Sequence, residues 1–307
     1  MLSIAICTFN RAKLLDGTLQ SLYEQKGADL NLVEVIVVDN NSVDETLEVA
    51  ERWARSLPLR RVTEPRQGSS HARNRAITEA NGDWILFADD DVLLNQGWLG
   101  AYIEAINNNP DAKFAGGRIT PRWVDGRPAW FRGEHLDMMD GLLVWYDLGP
   151  ETRLYCETDP EPFGANFAFR RSLADEIGLM RSDLGKGGDC VGYGEETEFI
   201  KRARNAGAQG VYVGTAHCEH LVDRRRFAFR ALYRFGVAKG LTHRAMTDQT
   251  ASGSSARALL FLARGVRQLL LGRGDRFRQC VIHAGVERGL MLSARAVERQ
   301  DRPSDVE

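Results

Sequence analysis

The first residues able to do chemistry are three adjacent carboxylates, Asp89, Asp90 and Asp91, which follow an apolar segment at 84–88. Like charges in a row repel one another, so an ordinary loop gains nothing from them. Clustered carboxylates do favour the binding of a divalent cation, because Mg²⁺ takes oxygen ligands and often binds through one or two carboxylates together with substrate phosphates. A solvated turn or a helix N-cap is the alternative interpretation. A cation site at the end of a buried strand is therefore one of two hypotheses.

A second acidic group, Glu195-Glu196-Thr197-Glu198, stands at the predicted start of a helix. The helix dipole favours carboxylates there, which is a sufficient structural explanation. A carboxylate is also a general base when it lies within about 2.6–3.2 Å of a reacting hydroxyl. Two histidines, His217 and His220, follow a short strand further on, but the sequence offers no second ligand pair to complete a zinc site.

The elements that must position these groups alternate in the first third of the chain. Three short apolar segments have strand character: 4–7, 33–38 and 84–88. Segments with helical spacing separate them, and this order predicts an α/β fold, a three-layer α/β/α sandwich around a mostly parallel central sheet. Residues 117–162 have weak periodicity and predict a long irregular excursion. From Phe227 onward the pattern predicts a C-terminal helical extension.

A dinucleotide-binding fold is the obvious alternative for such a beginning. It requires a glycine-rich turn after the first strand. Residues 7–12 read Cys-Thr-Phe-Asn-Arg-Ala and contain no glycine, and the chain has no Walker A sequence. Binding of a diphosphate in a glycine cradle is therefore disfavoured, which leaves binding through a metal ion.

Six short motifs occur in a defined order along the chain. They are Thr8-Phe9-Asn10-Arg11, Val37-Val38-Asp39-Asn40-Asn41-Ser42, Gly68-Ser69-Ser70-His71-Ala72-Arg73-Asn74, Asp89-Asp90-Asp91, Gly164-Ala165-Asn166-Phe167-Ala168-Phe169-Arg170 and Gly194-Glu195-Glu196-Thr197-Glu198. As an ordered set they cover about residues 1 to 235, and the chain resembles the family-2 glycosyltransferases of the GT-A fold. The resemblance implies a nucleotide-diphospho-sugar donor and an inverting transfer. Because the chain lacks the Gln-x-x-Arg-Trp motif of processive relatives, we expect transfer of one sugar at a time.

The resemblance also implies roles for individual residues. Those that would bind the nucleotide sugar are Thr8, Asn10, Arg11, Asp39, Arg73, Asp89 and Asp90. Asp90 either contacts the nucleotide or only separates its two neighbours. Asp91, with Asp89 and His220, would hold Mn²⁺ or Mg²⁺, which neutralises charge on the departing nucleoside diphosphate.

Proton transfer and acceptor binding are assigned from the same resemblance. Glu196 would deprotonate the acceptor hydroxyl. Since Asp is the commoner residue at this position of the motif, Glu195 stays open as the base. Asn166 and Trp130 would lie on the acceptor side, and a packing role is equally open for each.

The expected division of the chain is threefold. Residues 1–116 would form the nucleotide-sugar-binding half of the catalytic domain, residues 117–225 the acceptor-binding half with the base, and residues 226–307 a basic helical extension. The net charge is −2, which gives no reason to expect nucleic acid as a partner. From Leu221 to the end, however, 17 Lys and Arg stand against 8 Asp and Glu, a balance of +9.

This basic extension predicts peripheral contact with a membrane. Arg257, Arg264 and Arg267 fall roughly on one helical face, with leucines on another, which is the pattern of an interfacial helix as well as of an ordinary surface helix. The acceptor is expected to be a glycan or a lipid-linked saccharide. Five widely spaced cysteines and a start without signal-peptide character predict reduced thiols and a cytoplasmic setting, with contact at the cytoplasmic membrane face.

Two functions of other classes stay open at this point. A nucleotidyltransferase would share nucleotide chemistry on a related sheet, but it usually needs a glycine-rich basic loop near its start. A non-catalytic nucleotide-sugar-binding protein would not need both Asp91 and Glu196, which are present.

Overall fold

The structure, a computed structural model, describes residues 1–131, 137–188, 192–247 and 254–292. Its strands are β1 (Leu2–Thr8), β2 (Val33–Asp39), β3 (Leu59–Thr63), β4 (Trp84–Asp89), β5 (Val92–Leu94), β6 (Phe114–Trp123), β7 (Thr152–Leu154), β8 (Asn166–Arg170) and β9 (Gly210–Val222). Its helices are α1 (Ala12–Tyr23), α2 (Thr46–Trp53), α3 (Ser69–Glu79), α4 (Trp98–Asn108), α5 (Asp137–Leu143), α6 (Arg171–Ile177), α7 (Glu195–Asn205), α8 (Phe229–Thr247), α9 (Ser254–Leu270) and α10 (Gly274–Met291).

The strands of the described ranges form one mixed sheet in the order β3-β2-β1-β4-β8-β6-β9-β5, with β7 paired to β9. The pairs β1–β2, β1–β4 and β2–β3 are parallel. The pairs β4–β8, β6–β8, β5–β9 and β7–β9 are antiparallel. The prediction of a mostly parallel sheet is therefore wrong in this detail. Parallel pairing follows from the βαβ units of the first third, whereas the antiparallel strands come largely from later segments with weaker periodicity.

Both faces of the sheet are covered, as the predicted three layers require. Ile4 and Ile6 of β1 point into one buried cluster, together with side chains of α1, α2 and α4. Ala5 lies between them in sequence and points into the other cluster, which includes side chains of α3, α6 and α7. Successive side chains of a strand face opposite sides, so a strand that is apolar throughout has to be buried on both. Helices on both faces therefore pack against the sheet.

The chain divides into two compact units. The first contains residues 1–122, 144–182 and 195–221, and the second contains residues 123–143, 183–194 and 222–307. These units are defined by how compactly the chain packs and not by what each part binds. The threefold division into a donor-binding half, an acceptor-binding half and an extension therefore stays a prediction. Cys190, counted among the expected reduced thiols, lies outside the described residues.

In the second unit, α8 and α10 cross at close range through glycines. A Cβ added at Gly240 would lie 2.2 Å from the carbonyl oxygen of Val286, and one at Gly285 would lie 2.3 Å from that of Tyr233. The predicted helical extension is thus present as three helices within the described ranges. Each helix within those ranges is too short or too polar to span a membrane.

Candidate active site

The carboxyl ends of three neighbouring strands bring the first predicted residues together. In the register of the sheet, Thr8 of β1 is level with Asp39 of β2, and Cys7 is level with Asp89 of β4. The Asp39 carboxylate is buried and its Oδ1 accepts a hydrogen bond from the backbone N–H of Ser42 at 3.0 Å. Buried Thr8 Oγ1 has no hydrogen bond of ordinary geometry within the described residues, but the hydroxyl lies close enough to the Asp90 carboxyl to lower the pKa of that group. Thr8 and Asp39 lie at the carboxyl ends of their strands, where open α/β sheets bind ligands.

Asn10 joins the two loops that follow β1 and β2. Its backbone N–H donates to Ser42 Oγ at 2.9 Å, and its Oδ1 accepts from the backbone N–H of Val43 at 2.7 Å. The backbone of Asn10 is left-handed, with φ of 51°, a conformation that Asn tolerates better than most residues. In this structure Asn10 shapes the rim of the site, and its predicted contact with the nucleotide stays a prediction.

Arg11 bridges two members of the aspartate triplet. Its Nη1 lies 2.7 Å from Asp90 Oδ1 and 3.0 Å from Asp91 Oδ2. Burial raises the pKa of Asp90 to about 6, an effect that Arg11 opposes and Asp91 strengthens. Asp90 Oδ2 is buried and has no hydrogen bond of ordinary geometry in the described part of the chain, although the nearby Thr8 hydroxyl lowers the pKa of this carboxyl.

His220 lies beside Asp91 because a short strand carries it there. Val92 of β5 pairs with His220 of β9, and the backbone N–H of Leu221 donates to the Asp91 carbonyl oxygen at 2.9 Å. The imidazole Nε2 is consequently 3.5 Å from Asp91 Oδ1. The two predicted cation ligands are thus adjacent, although about 130 residues separate them in sequence.

Arg73 connects the aspartate triplet to the start of α7. Its guanidinium is buried and donates to Asp89 Oδ1 at 3.0 Å and, at closer range, to Glu195 Oε1. It also lies 3.8 Å from Glu196 Oε2. A Cβ at Gly164 would overlap the guanidinium, so only glycine leaves room for it. Asp89 is the most exposed of the triplet at 34% of its side chain, against 5% each for Asp90 and Asp91.

The two candidate bases have different surroundings. Glu195 is buried, and Ser69 Oγ donates to its Oε1 at 2.7 Å in addition to Arg73. Burial would raise the pKa of Glu195, but the Arg73 charge and the Ser69 hydrogen bond outweigh it, so the pKa is lowered. The side chain of Glu196 is 13% exposed, and its Oε1 accepts a long hydrogen bond from the backbone N–H of Gly164 at 3.4 Å.

We expect Glu195→Gln to destabilise the fold by about 3 kcal/mol, because it leaves the buried Arg73 with less compensating charge. The lowered pKa of Glu195 sets the pH dependence: its contribution to stability is present above pH 4.5, the ordinary value, and is lost as pH falls through the folded-state pKa. The difference from wild type in urea-unfolding midpoints should therefore be large at neutral pH and shrink in acid. Glu198→Gln is the control, since it removes a pair with Arg202 within one helix and should cost about 0.5 kcal/mol. Equal losses in both variants would contradict the structural role of Glu195.

Asn166 and His217, two residues considered for the site, are held by contacts with other parts of the fold. The side chain of Asn166 is fully buried, and its Oδ1 accepts from Trp98 Nε1 and Tyr102 while its Nδ2 donates to two carbonyls. These contacts match the packing role that was left open for it, and its acceptor role stays a prediction. His217 is held by Asn95 and Thr120, and burial lowers its pKa. It is not part of the group formed by Asp91 and His220.

Trp130 belongs to the second compact unit. Its ring packs edge-on against Phe227, with centroids 5.0 Å apart, and the Arg278 guanidinium lies 4.0 Å from its centroid. These contacts occupy part of the indole, so the acceptor role of Trp130 stays a prediction.

The donor set fits a hard divalent cation. Asp91 and His220 supply an adjacent carboxylate and imidazole, and Asp89 is accessible. Within the described ranges, no group of three or more His, Cys, Asp or Glu side chains is arranged to hold a metal ion. Mg²⁺ is commonly bound by one or two carboxylates with substrate phosphates completing the shell, so an incomplete protein shell is consistent with a cation that binds together with a diphosphate.

Two residues with clear positions here had no role predicted from sequence. Ser69 donates to Glu195, and Gly164 accommodates Arg73. Both lie inside motifs that were recognised, so the signal was present. Their function is to place other side chains, and that becomes visible only when α3, β8 and α7 are brought together.

The chain has recognisable relatives among known proteins. Residues 3–178 match the sequence model described as Glycosyl transferase family 2. The succinoglycan biosynthesis protein ExoM of Rhizobium meliloti is 26% identical over 305 residues, covering 94% of this chain and 93% of that protein. A glucosyl-dolichyl phosphate glucuronosyltransferase of Haloferax volcanii is 26% identical over 250 residues, covering 80% of this chain and 76% of that protein.

The solved structures show the same fold. The mannosyltransferase PcManGT from Pyrobaculum calidifontis, in complex with GDP-Man and Mn²⁺, superposes with a TM-score of 0.62 at 20% identity, covering 94% of this chain and 86% of that one. Staphylococcus aureus TarS residues 1–349 superpose with a TM-score of 0.55 at 17% identity, covering 99% and 92%. The predicted GT-A fold is confirmed.

Proposed function

We propose that this chain, which belongs to glycosyl transferase family 2 and is therefore a glycosyltransferase, transfers one sugar from a nucleotide-diphospho-sugar to an acceptor hydroxyl with inversion at the anomeric carbon. The transfer depends on a divalent cation in this proposal. Membership of the family sets aside the two alternatives, a nucleotidyltransferase and a non-catalytic binding protein.

One observation carries the proposal: Arg73 contacts one carboxylate of the predicted donor site and one of the predicted base region. Asp89 belongs to the predicted donor site and Glu195 to the predicted base region, and the buried guanidinium donates to each. Glu196, the neighbour of Glu195, lies 3.8 Å from the same guanidinium, which supports one site for the base and the donor. A leaving group held at the triplet and a base at the start of α7 are what an inverting transfer requires on the two sides of one sugar.

The donor would bind across the ends of β1, β2 and β4. Asp39 and Thr8 offer an acceptor and a hydroxyl to the nucleoside, and their level positions at the ends of β1 and β2 support this assignment. Arg11 is about one third exposed and approaches the site from the loop after β1, where its charge can attract the diphosphate. Asp89, the most exposed of the triplet, is placed to meet the ribose or the cation shell.

Asp91 and His220 would hold the cation, with Asp89 as a further candidate. A bound Mn²⁺ or Mg²⁺ supplies Lewis-acid stabilisation of the negative charge that develops on the diphosphate. The protein would keep both ligands in place through the pairing of β5 with β9. Burial of Asp91 strengthens its attraction to a cation by excluding water.

Glu196 is our candidate for the general base. It would accept the proton of the acceptor hydroxyl as the oxygen forms a bond to the anomeric carbon and the bond to the diphosphate oxygen breaks on the opposite face. Glu195 is less suited to the role, because it is buried and already accepts hydrogen bonds from Arg73 and Ser69. Glu195 then positions Arg73 and the start of α7.

The acceptor in this proposal is a glycan or a lipid-linked saccharide. The curated relatives support that class by name, since one is a succinoglycan biosynthesis protein and another acts on a glucosyl-dolichyl phosphate. A lipid-linked acceptor would bring the chain to the cytoplasmic face of a membrane.

A screen of nucleotide sugars by thermal shift, with Mn²⁺, Mg²⁺ or chelator, tests the proposal. We expect at least one nucleoside-diphospho-sugar to raise the melting temperature only when a cation is present, since binding to the native state stabilises it. Positive pairs are then assayed for slow sugar hydrolysis, and the anomeric configuration of any transfer product is read by NMR. Tight binding that is indifferent to chelator would contradict the cation-dependent part, and a product with retained configuration would contradict the inverting part.

A further inference from the structure

Helix α9 presents an apolar face away from the helix on which it packs. On its inner side Gly265 is buried, with Phe277 and Cys280 of α10 as its nearest neighbours. On the outer side Leu259, Val266 and Leu270 are 68%, 56% and 82% exposed. A surface helix normally turns its apolar stripe towards the core, and this helix has apolar residues on both sides.

The exposed residues form a continuous stripe. Leu259, Ala263, Val266 and Leu270 recur every three or four positions, which places them on one face of an α-helix. Leu260 and Leu271 widen it at the flank and are 48% and 55% exposed. Single exposed leucines need no explanation, whereas a contiguous stripe of this kind marks an interaction surface.

The charge around this stripe is strongly positive. Residues 254–292 contain seven arginines and no lysine, against one aspartate and one glutamate, a balance of +5. Arg264, Arg267, Arg273 and Arg276 are exposed. Of the two acidic residues, Glu287 accepts from Arg257 at 3.0 Å and Asp275 is buried. The partner of this face must therefore be apolar in its depth and negative at its surface.

We propose that α9 docks on an anionic lipid bilayer, with the stripe of Leu259, Val266 and Leu270 at the boundary of headgroups and acyl chains and the arginines on lipid phosphates. An anionic bilayer has apolar acyl chains beneath negatively charged headgroups. An interfacial helix lies at this boundary, so its apolar face contacts the acyl chains while its basic residues contact the phosphates. A second copy of the chain fits less well. Pairing this face with itself would bring Arg264 and Arg267 of the two copies together, and like charges oppose such contact.

Sedimentation with vesicles tests the docking surface. The full chain, without donor or acceptor, is mixed with vesicles of phosphatidylcholine and phosphatidylglycerol in equal parts, or of phosphatidylcholine alone, at low salt. We expect binding to the anionic vesicles that weakens with salt. The variant L259Q/L270Q should lose at least about tenfold in partition, since two inserted side chains become polar. The variant R264Q/R267Q should keep only the weak binding seen with phosphatidylcholine.

The matched control is L32Q/L179Q, which makes the same change at two leucines of the first compact unit that are 70% and 47% exposed. It should bind vesicles like wild type. Circular dichroism and melting temperature establish that each variant is folded. Equal binding by L259Q/L270Q and the control would overturn the proposal. So would a wild-type dimer in light scattering that becomes a monomer in L259Q/L270Q without any vesicle binding, because the stripe would then be an interface between copies. Since no substrate is present, failure here leaves the proposed transfer reaction untouched.

Discussion

Replacing Glu196 with glutamine is expected to lower kcat for sugar transfer by about 10³-fold, the usual scale of general-base catalysis. Glutamine keeps the shape and the capacity to accept the backbone N–H of Gly164, whose nitrogen lies 3.4 Å from Glu196 Oε1. It cannot take up the proton of the acceptor hydroxyl. Binding of the donor should persist, because the triplet and Arg73 are unchanged, and a thermal shift with donor and Mn²⁺ measures it separately from turnover.

Two further variants separate the base from its neighbours. Glu198→Gln lies in the same first turn of α7 and pairs with Arg202, so it should transfer at nearly the wild-type rate. Glu195→Gln should lose activity together with stability, because it removes the negative charge of one carboxylate that Arg73 contacts. Full activity of Glu196→Gln would remove Glu196 as the base. Loss of activity in Glu195→Gln alone, in folded protein, would assign the base to Glu195.

Replacing Asp91 with asparagine is expected to lower kcat/KM by about 10³-fold or more, because a cation at a developing charge is worth several kcal/mol. The substitution removes the carboxylate charge next to His220 Nε2, from which Asp91 Oδ1 is 3.5 Å away. The part of the donor-induced thermal shift that requires Mn²⁺ should disappear. Titration of Mn²⁺ in the presence of nucleoside diphosphate gives a second measurement that does not depend on turnover.

Asp90→Asn is the matched control for that loss. Asp90 and Asp91 both accept from Arg11, at 2.7 and 3.0 Å, so either substitution removes one contact of that guanidinium. Only Asp91 also lies beside His220. We expect Asp90→Asn to cost less than about tenfold and to keep the cation-dependent shift. If both substitutions lowered kcat/KM equally, the shared contact with Arg11 would explain the loss. That result would contradict the assignment of Asp91 as the cation ligand.

Much of the fold was predictable because the relevant signals are local. Apolar segments such as 84–88 are strands buried on both faces, and the helical spacing between the strands of the first third places α1 to α3 as predicted. The sheet beyond β4 was not predictable in the same way. Strands β5 to β9 pair antiparallel across long separations, and Val92 against His220 is a pairing that no local pattern contains.

The candidate site shows the same division. Residue types and order predicted a site at Asp89, Asp91, Arg73 and the acidic start of α7, since carboxylates after a strand and at a helix start are visible in sequence. For Asn166 the recognisable motif left an acceptor role and a packing role equally open. Its actual surroundings are two aromatic donors and two carbonyls of the core, a set that depends on the packing of α4 against β8.

By itself, then, the sequence determined the family, the α/β order of the first third and the identity of the charged groups. Only the tertiary structure decided how those groups share their charges. It showed that Arg73 binds Asp89 and Glu195, that Arg11 binds Asp90 and Asp91, and that the stripe on α9 faces outward. The physical reason is range: strand and helix patterns arise from neighbours a few residues apart, whereas ion pairs and burial depend on side chains that folding brings together from distant segments.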